Sequence, residues 1–348
     1  MSNKDSKLAI WFLTVRTGTG TDVFTERLVE GLRKRGIRAE ITWLPLRAEY
    51  LPWTIAIPKP PKWATLVHVN TWLHHRFLPK SLPVVATLHH SVHDPKLRPY
   101  KGLLRALYHQ YWIAPNERRV MRQAARVTAV SQFVADMAKK TLCDIPIQVI
   151  YNGIDTELFH PKIKDKQKDQ PFRLLYVGAW RKLKGVDLLA PIMQELGEGF
   201  ELYYTGGAAA EKDKVNMPNN MYDLGRLSQQ EVILEMQNSD ALLFPSRSEG
   251  FGLVVAEAMA CGLPVIAMRG TAVDELIVNE SYGYLCEPEN SDSFVNIIKR
   301  LGYEGSDFIT NRGVSCKENL LKFSNLQMVG DYSCLYGDLF LDYYRAVE

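Results

Sequence analysis

The chain has 348 residues, of which 46% are hydrophobic and 23% are charged, which is typical of a globular protein and excludes a disordered or fibrous chain. Its length suits two α/β domains better than a single core. Residues 1–160 hold 23 Lys and Arg against 12 Asp and Glu, a formal charge of +11, whereas the remainder holds 19 against 27, or −8. The basic first half favours an anionic partner: nucleic acid, acidic lipid or a polyphosphate acceptor.

The start of the chain predicts a buried strand, because its apolar run is too short to span a membrane and no small-residue cleavage site follows it. Five cysteines are widely spread and contain no C-x-x-C pair, which favours a reducing cytosol. We therefore expect a cytoplasmic protein.

A first βαβ unit is predicted from the strand Leu8 to Val15, the turn TGTGTD, a helix that ends at Gly36 and the strand IRAEITWL. Gly18 and Gly20 lie in the turn, at the carboxyl end of a strand, where open α/β sheets bind ligands. The third glycine of a dinucleotide fingerprint is missing, so a plain tight turn stays an alternative.

Two further strands, Leu66 to Asn70 and Leu82 to Leu88, follow an irregular proline-rich stretch. The second strand runs into three histidines, His89, His90 and His93. A zinc site needs a fourth ligand and an ordered spacing that this pattern does not show, so no metal site is predicted.

Residues 95–126 are rich in cations and aromatics and predict an amphipathic helix. Arg98, Lys101 and Arg105 lie in its first part. Such a helix can lie on an anionic membrane, and the alternative is a core-packing helix with a solvated basic face. No recognition-helix, RNP or zinc-finger pattern is present, so we expect no nucleic-acid partner.

The segment Lys162 to Gln170 is highly charged and contains a single apolar residue. It predicts a linker between a first domain, residues 1–161, and a second domain that begins at residue 171. The stretch from Ser239 to Ala267 in the second domain predicts a strand, a turn with Gly250 and Gly252, and a helix that ends near Gly262. The helix N-terminus would bind an anion, and Glu249 and Glu257 would flank it. An ordinary strand-turn-helix is the alternative.

Several segments together resemble one family. EGFGLVVAEAMACGLPVIA is similar to the signature, two glutamates separated by seven residues, of retaining nucleotide-sugar glycosyltransferases of the GT-B fold, family 4 (glycosyltransferase group 1). IQVIYNGIDTELFHP and MYDLGRLSQQEVILEMQNSDALLFPS resemble further segments of that family. The resemblance implies two facing Rossmann-like α/β domains with a cleft between them. It also implies a second domain of residues 171–327 and a C-terminal helix, residues 328–348, that crosses back to the first domain.

The resemblance also implies roles for single residues. His89, with His90 as the register alternative, would lie near the reacting sugar, Glu249 would contact donor-sugar hydroxyls and Glu257 the ribose. The family arginine after Val-Gly is replaced by Ala179, so Arg181 or Lys182 would supply its charge beside Lys184. The expected donor-binding residues are Gly20, Lys184, Arg181, Arg226, Leu227, Gly250, Phe251, Gly252, Leu253 and Glu257.

The activity that the resemblance implies is transfer of a sugar from a nucleotide-diphosphate donor to an acceptor hydroxyl, with retention and without a metal or another cofactor. A lipid-linked or surface-polysaccharide glycan of bacteria is the expected acceptor, and a peripheral location on the inner face of the plasma membrane is a further expectation. Two alternatives stay open: a sugar-nucleotide epimerase of the same fold, and a catalytically silent GT-B scaffold.

Overall fold

A computed structural model describes residues 7–162, 170–280, 282–304 and 320–345. The chain divides into two compact units, Met1–Gly153 with Ser324–Glu348, and Ile154–Phe323. The C-terminal segment thus belongs to the first unit, as predicted for the C-terminal helix. Residues 163–169 of the predicted linker lie outside the described residues, and the domain limits at 161, 171 and 327 stay predictions.

Each unit contains a parallel six-stranded sheet. The order is β2-β1-β3-β4-β5-β6 in the first unit and β12-β11-β10-β7-β8-β9 in the second. The strands of the first sheet are Ala9–Val15 (β1), Arg38–Leu44 (β2), Leu66–Asn70 (β3), Val84–Leu88 (β4), Arg126–Ala129 (β5) and Gln148–Val149 (β6). Those of the second are Phe172–Tyr176 (β7), Phe200–Tyr204 (β8), Met221–Asp223 (β9), Ala241–Phe244 (β10), Val265–Met268 (β11) and Tyr284–Cys286 (β12).

The helices cover the sheets, which explains why β1 and β10 are apolar runs buried along their whole length. The α-helices are Gly20–Lys34 (α1), Arg47–Tyr50 (α2), Leu103–Tyr108 (α3), Ala114–Gln123 (α4), Gln132–Thr141 (α5), Val186–Leu196 (α6), Gln229–Asn238 (α7), Leu253–Ala260 (α8), Ser291–Glu304 (α9) and Asn325–Arg345 (α10). Shorter 3₁₀ turns include Pro52–Thr54, Pro95–Tyr100 and Lys182–Lys184.

The amphipathic helix predicted for residues 95–126 covers only residues 103–123 and is not regular throughout. The segment is a 3₁₀ turn, then α3, a π-helical stretch at His109–Ile113 and α4, and Arg126 already begins β5. Pro99 lies inside the 3₁₀ turn, and Gly102 is the residue directly before α3. Pro115 has no N–H to donate to the preceding turn, and the π-helical stretch lies directly before it.

Strand β4 is two residues shorter than predicted at its start. Pro83 cannot donate to a neighbouring strand, but its carbonyl still accepts from the Val67 N–H at 3.1 Å. The strand therefore begins at Val84, directly after the proline.

Helix α10 packs on α1 in the first unit. A Cβ atom added to Gly31 would lie 2.3 Å from Cγ2 of Val329, so the two helices approach closely only because residue 31 is glycine. The buried hydroxyls of Tyr332 and Tyr336 then reach into the sheet. The core of this unit is thus shared by the first strands and the last helix.

A buried hydrogen-bonded cluster joins α10 to β3, β4 and β5. His68 Nδ1 pairs with the Tyr336 hydroxyl, and His68 Nε2 lies 2.7 Å from Thr87 Oγ1. Thr87 in turn pairs with Thr128 at 2.7 Å, and the hydroxyl of Tyr332 lies 3.1 Å from both threonines. Burial lowers the pKa of His68 to about 3, so this imidazole is neutral in the folded protein.

The neutral His68 predicts a fold that loses stability as the pH falls. An unfolded histidine binds a proton below its ordinary pKa of 6.5, whereas folded His68 does not until about pH 3. The free energy of unfolding should therefore decrease by as much as about 1.4 kcal/mol per pH unit from this one group within that window. Urea unfolding of wild type and His68→Gln at several pH values checks it. The variant should show a shallower slope, and equal slopes would contradict this assignment.

Candidate functional site

The carboxyl ends of β7 and β10 form the centre of the candidate site in the second unit. These two strands are neighbours in the sheet. In the strand order, β8 and β9 lie on one side of β7, whereas β10, β11 and β12 lie on its other side. Ligands of open α/β sheets bind where the strand order reverses in this way. The two segments that follow β7 and β10 contain the predicted residues Lys184 and Glu249.

Lys184 and Glu249 form an ion pair at this point. The Lys184 ammonium lies 2.6 Å from Glu249 Oε1 and donates to the Ser248 carbonyl at 3.1 Å. The Ser246 hydroxyl donates to the same Glu249 oxygen at 2.6 Å. Both charged side chains are largely shielded, at 29% and 12% exposed. Two predicted site residues, 65 positions apart, are therefore brought into direct contact.

Gly185 makes this contact possible. It has φ of +73°, and a Cβ atom there would lie 2.0 Å from the carbonyl oxygen of Pro245. Only a glycine lets the backbone beside Lys184 approach the segment that contains Glu249 so closely.

Gly185→Ala should therefore damage the site. We expect a loss of about 3 kcal/mol in unfolding free energy, from the left-handed backbone and the overlap with Pro245, and at least about tenfold weaker binding of nucleoside diphosphate. Gly197→Ala is the matched control, because Gly197 has φ of +68° but no atom within 4 Å of its added Cβ. Denaturant unfolding and titration with UDP, GDP and ADP would measure both effects. Equal losses in the two variants would contradict the packing argument.

Arg247 is a residue of this site that the sequence pattern did not reveal. Its buried guanidinium lies 2.6 Å from both Asp187 Oδ1 and Glu289 Oε1, and it also donates to the Lys182 carbonyl. Burial opposes its charge, but the two carboxylates outweigh this and raise the pKa of Arg247. Arg247 thus fixes the turn before Lys184 against the segment that contains Glu249.

The helix after β10 begins as predicted. Gly252 is the residue before α8, with φ of +94°, and it has no side chain that could cap the first turn, which starts at Leu253. The N-terminus of α8 therefore directs backbone N–H groups and a partial positive charge towards the region of Glu249. Glu257 lies within α8 and is half-buried, whereas Phe251 is buried against Phe323, with ring centroids 5.5 Å apart. Phe251 thus packs in the core, and Gly250 is half-buried beside it.

The segment after β7 does not decide which cation replaces the family arginine. Arg181 and Lys182 are both exposed. The carbonyl of Ala179 accepts from the Tyr176 hydroxyl at 3.2 Å, and the Trp180 indole N–H donates to Asp213 at 2.7 Å. This turn is thus anchored by aromatic side chains rather than by a guanidinium.

A third part of the second unit places Arg226 and Leu227. Asp223 Oδ1 accepts from the N–H groups of Gly206, Gly207 and Gly225 at 3.0, 3.0 and 2.8 Å. Its pKa is lowered because these hydrogen bonds and Lys214 outweigh the cost of burial. Asp223 therefore ties the turns after β8 and β9 together, and the exposed Arg226 and half-buried Leu227 follow directly.

In the first unit, the sheet order reverses between β1 and β3. The glycine turn after β1 is organised by Asp22, whose carboxylate accepts from the N–H groups of Thr17 and Gly18 at 3.0 and 2.7 Å. Gly20 begins α1. These two amides are thus occupied by a carboxylate of the chain itself, a role for Asp22 that the sequence pattern did not reveal.

His89 lies at the same edge, directly after β4. A small pocket is lined by His89, Thr14, Asn70 and residues around them. The His89 ring meets Phe24 edge to face, with centroids 4.7 Å apart. Burial, and secondarily the neighbouring His90, lower the pKa of His89 well below the ordinary value, so it is a neutral imidazole.

The other two histidines of this segment lie apart from that pocket's lining. His90 is exposed, and His93 Nε2 pairs with the buried Glu117 at 2.7 Å. Within the described parts of the chain, no group of three or more His, Cys, Asp or Glu side chains is arranged to hold a metal ion.

The three predicted cations of residues 95–126 differ in their surroundings. Arg98 and Arg105 are exposed, whereas the Lys101 ammonium turns inward and donates to the Val92 carbonyl. None of the helices in residues 7–162, 170–280, 282–304 and 320–345 has both the length and the apolar character of a membrane span.

Comparison with known proteins identifies the family. The sequence model described as "Glycosyl transferases group 1" matches residues 159–305, and that described as "Glycosyltransferase Family 4" matches residues 61–158. Residues 159–305 belong to the group 1 glycosyltransferases. This chain is also similar to an uncharacterized glycosyltransferase of Methanocaldococcus jannaschii. The two are 30% identical over 241 residues, which are 66% of this chain and 64% of that protein. The chain spans less than two thirds of the length of the curated relatives it matches.

Solved structures confirm the predicted GT-B fold. Sucrose-phosphate synthase from Thermosynechococcus elongatus superposes with a TM-score of 0.81 at 19% identity and covers 97% of this chain and 100% of that one. Anabaena HepE in complex with UDP and glucose gives a TM-score of 0.75 at 17% identity, with 95% and 100% covered.

Proposed function

We propose that this chain transfers a sugar from a nucleoside-diphosphate-sugar donor to an acceptor hydroxyl, with retention at the anomeric carbon. The contact of Lys184 with Glu249 supports the proposal most directly. It joins a cation and a carboxylate beside the N-terminus of α8, at the carboxyl ends of β7 and β10, between which the strand order reverses. A diphosphate with an attached sugar needs this combination: positive groups for the phosphates and an oxygen acceptor for sugar hydroxyls.

Charge develops on the departing diphosphate as the bond to the sugar breaks. Lys184 and the first N–H groups of α8 are suited to stabilise that charge, with Arg181 or Lys182 as a second cation. Glu249 would then hold donor-sugar hydroxyls and Glu257 the ribose, while Arg226 and Leu227 contact the base. In this proposal neither carboxylate is a nucleophile, and neither a metal nor another cofactor takes part.

In the first unit, His89 and the Gly20 turn would face the reacting sugar and the acceptor. The neutral His89 can donate one hydrogen bond and accept another, which suits sugar hydroxyls better than a charged imidazolium. The proposed acceptor is a bacterial lipid-linked or surface-polysaccharide glycan, and the proposed location is peripheral, on the inner face of the plasma membrane. The net positive charge of residues 1–160 supports an anionic acceptor or surface.

A donor panel tests the function. UDP-, GDP- and ADP-linked hexoses are incubated with the protein, with and without alkyl glycosides and extracted bacterial lipids as acceptors, and the products are separated by chromatography. We expect one donor to release its nucleoside diphosphate with formation of a glycosylated acceptor. Conversion of a donor to its epimer without acceptor would instead establish an epimerase. Nucleotide binding with no turnover on any acceptor would favour a silent scaffold.

A further inference from the structure

Helix α3 is largely apolar but contains no buried residue. None of its six residues is buried, and Leu103 and Leu104 are 75% and 83% exposed. Leu107 and Tyr111 extend the same exposed side into the π-helical stretch, with Tyr111 70% exposed. A helix that packs on a core turns its leucines inward, whereas α3 exposes Leu103 and Leu104.

A second exposed segment adjoins α3. Residues 46–54 follow β2 and carry the exposed side chains of Leu46, Tyr50, Leu51 and Trp53. The sequence pattern predicted only an irregular stretch here. It is instead a short helix followed by a 3₁₀ turn, which presents these side chains in the first unit.

Specific contacts hold the two segments together. The Tyr108 hydroxyl and the Trp112 indole N–H both donate to Glu49, at 3.1 Å each, to its carboxylate and its carbonyl respectively. Tyr50 stacks on Tyr108 at 5.5 Å, and Trp53 meets Trp112 edge to face at 6.0 Å. The exposed side chains of residues 46–54 and 103–111 thus lie side by side, and residues 95–102 lead directly into the second segment. The exposed side chains of residues 46–54 and 95–111 are together called the basic apolar face.

Every exposed charge of the basic apolar face is positive. The exposed cations are Arg47, Lys96, Arg98 and Arg105. The only acidic residue of the two segments, Glu49, is buried. Burial raises the pKa of Glu49, and the nearby positive charge of Arg105 partly opposes this rise. Exposed leucines, aromatics and cations on one surface are the composition of proteins that lie in the interface of an anionic bilayer.

We propose that the basic apolar face docks on an anionic lipid bilayer, with Leu104 and Trp53 inserted below the headgroups and Arg98 and Arg105 among them. The inference rests on the proposed peripheral location and assigns it to particular residues. A symmetric pairing of two copies through this face would oppose like charges, which disfavours self-association as the use of the surface.

The test is flotation of the full chain with vesicles of phosphatidylcholine alone or of phosphatidylcholine with phosphatidylglycerol. We expect wild type to float with the anionic vesicles and to be released by high salt. Leu104→Glu and Trp53→Glu should each lose flotation, whereas Leu326→Glu should keep it, since Leu326 is 73% exposed but lies on α10 of the same unit. Unchanged melting temperatures show that the variants fold.

The cations are tested separately. Arg98→Gln with Arg105→Gln should weaken partitioning about 25-fold, at about fivefold for each charge, and Lys139→Gln with Lys140→Gln, two exposed cations of α5, should not. Brominated lipids should quench a part of the tryptophan emission that is missing from Trp53→Phe.

The outcomes separate the two proposals. Flotation of wild type that persists in both Glu variants would overturn the assigned face but not the peripheral location. No flotation of wild type, or a concentration-dependent dimer that the Leu104→Glu variant abolishes, would overturn the bilayer as the partner. The donor panel, which needs no membrane, decides the transferase activity on its own.

Discussion

Glu249→Gln is expected to lower the rate of sugar transfer by about 100-fold or more, while the protein keeps its fold. In the folded protein the carboxylate accepts from both Lys184 and Ser246 and is thereby held in one position before any ligand arrives. An amide at this position keeps the shape but has one acceptor oxygen and no charge, and its NH₂ group would meet the Lys184 ammonium. The loss should therefore appear in turnover more than in unfolding.

Glu198→Gln is the matched control for this prediction, because Glu198 is an exposed glutamate of the same unit. The measurement is the steady-state rate of nucleoside diphosphate release on the donor found in the panel, with the melting temperature of each variant beside it. Full activity of Glu249→Gln would remove the core of the proposed site, whereas a fall in melting temperature that matches the loss of activity would assign the residue a structural role only.

His89→Ala is expected to have the second largest effect, a loss of about 100-fold in transfer. The imidazole lines the pocket at the edge of the first sheet and is held edge to face by Phe24. His90→Ala is the matched control, since His90 is the next residue and is exposed. A large loss in His90→Ala with normal activity in His89→Ala would show that the register alternative is correct.

The lowered pKa of His89 adds a pH criterion. A histidine that stays neutral well below its ordinary pKa does not titrate between about pH 6 and about pH 8, so it causes no change of the transfer rate with pH in that range. Activity that falls in wild type with an apparent pKa near 6.5, and does not do so in His89→Asn, would contradict a neutral His89.

Local sequence patterns predicted most of the fold. The buried runs of β1 and β10, the glycines at helix ends and Ser131, which caps α5 by accepting from the Val134 N–H at 3.1 Å, are encoded within a few residues. The contact of Lys184 with Glu249 was not predicted from spacing, because it depends on the pairing of β7 with β10. The family resemblance supplied both residues, and the structure supplied their contact.

The residues that sequence reasoning missed act through distant partners. Arg247 stands in a polar run after β10 and looks like a surface residue, but its partners Asp187 and Glu289 lie 60 and 42 positions away. Asp223 likewise binds glycines of another turn. Burial of a charge in a network of this kind is a tertiary property, so no local pattern reveals it.

Local features and one tertiary contact explain the difference at residues 95–126. Amphipathic composition indicated one helix with a single basic face, whereas the helix begins only after Gly102, a π-helical stretch interrupts its regular turns, and Lys101 turns inward. The exposed apolar side of α3 also adjoins residues 46–54, a segment for which the proline-rich composition predicted only irregular structure.

The anomeric configuration of the product tests the central proposal most directly. The donor identified in the panel is supplied with its acceptor, and the coupling constant of the anomeric proton in the purified product is measured by NMR and compared with that of the donor. Retaining transfer predicts that an α-linked donor sugar yields an α-linked product in wild type and a product of the same configuration, formed far more slowly, in Glu249→Gln. A β-linked product from an α-linked donor would contradict it.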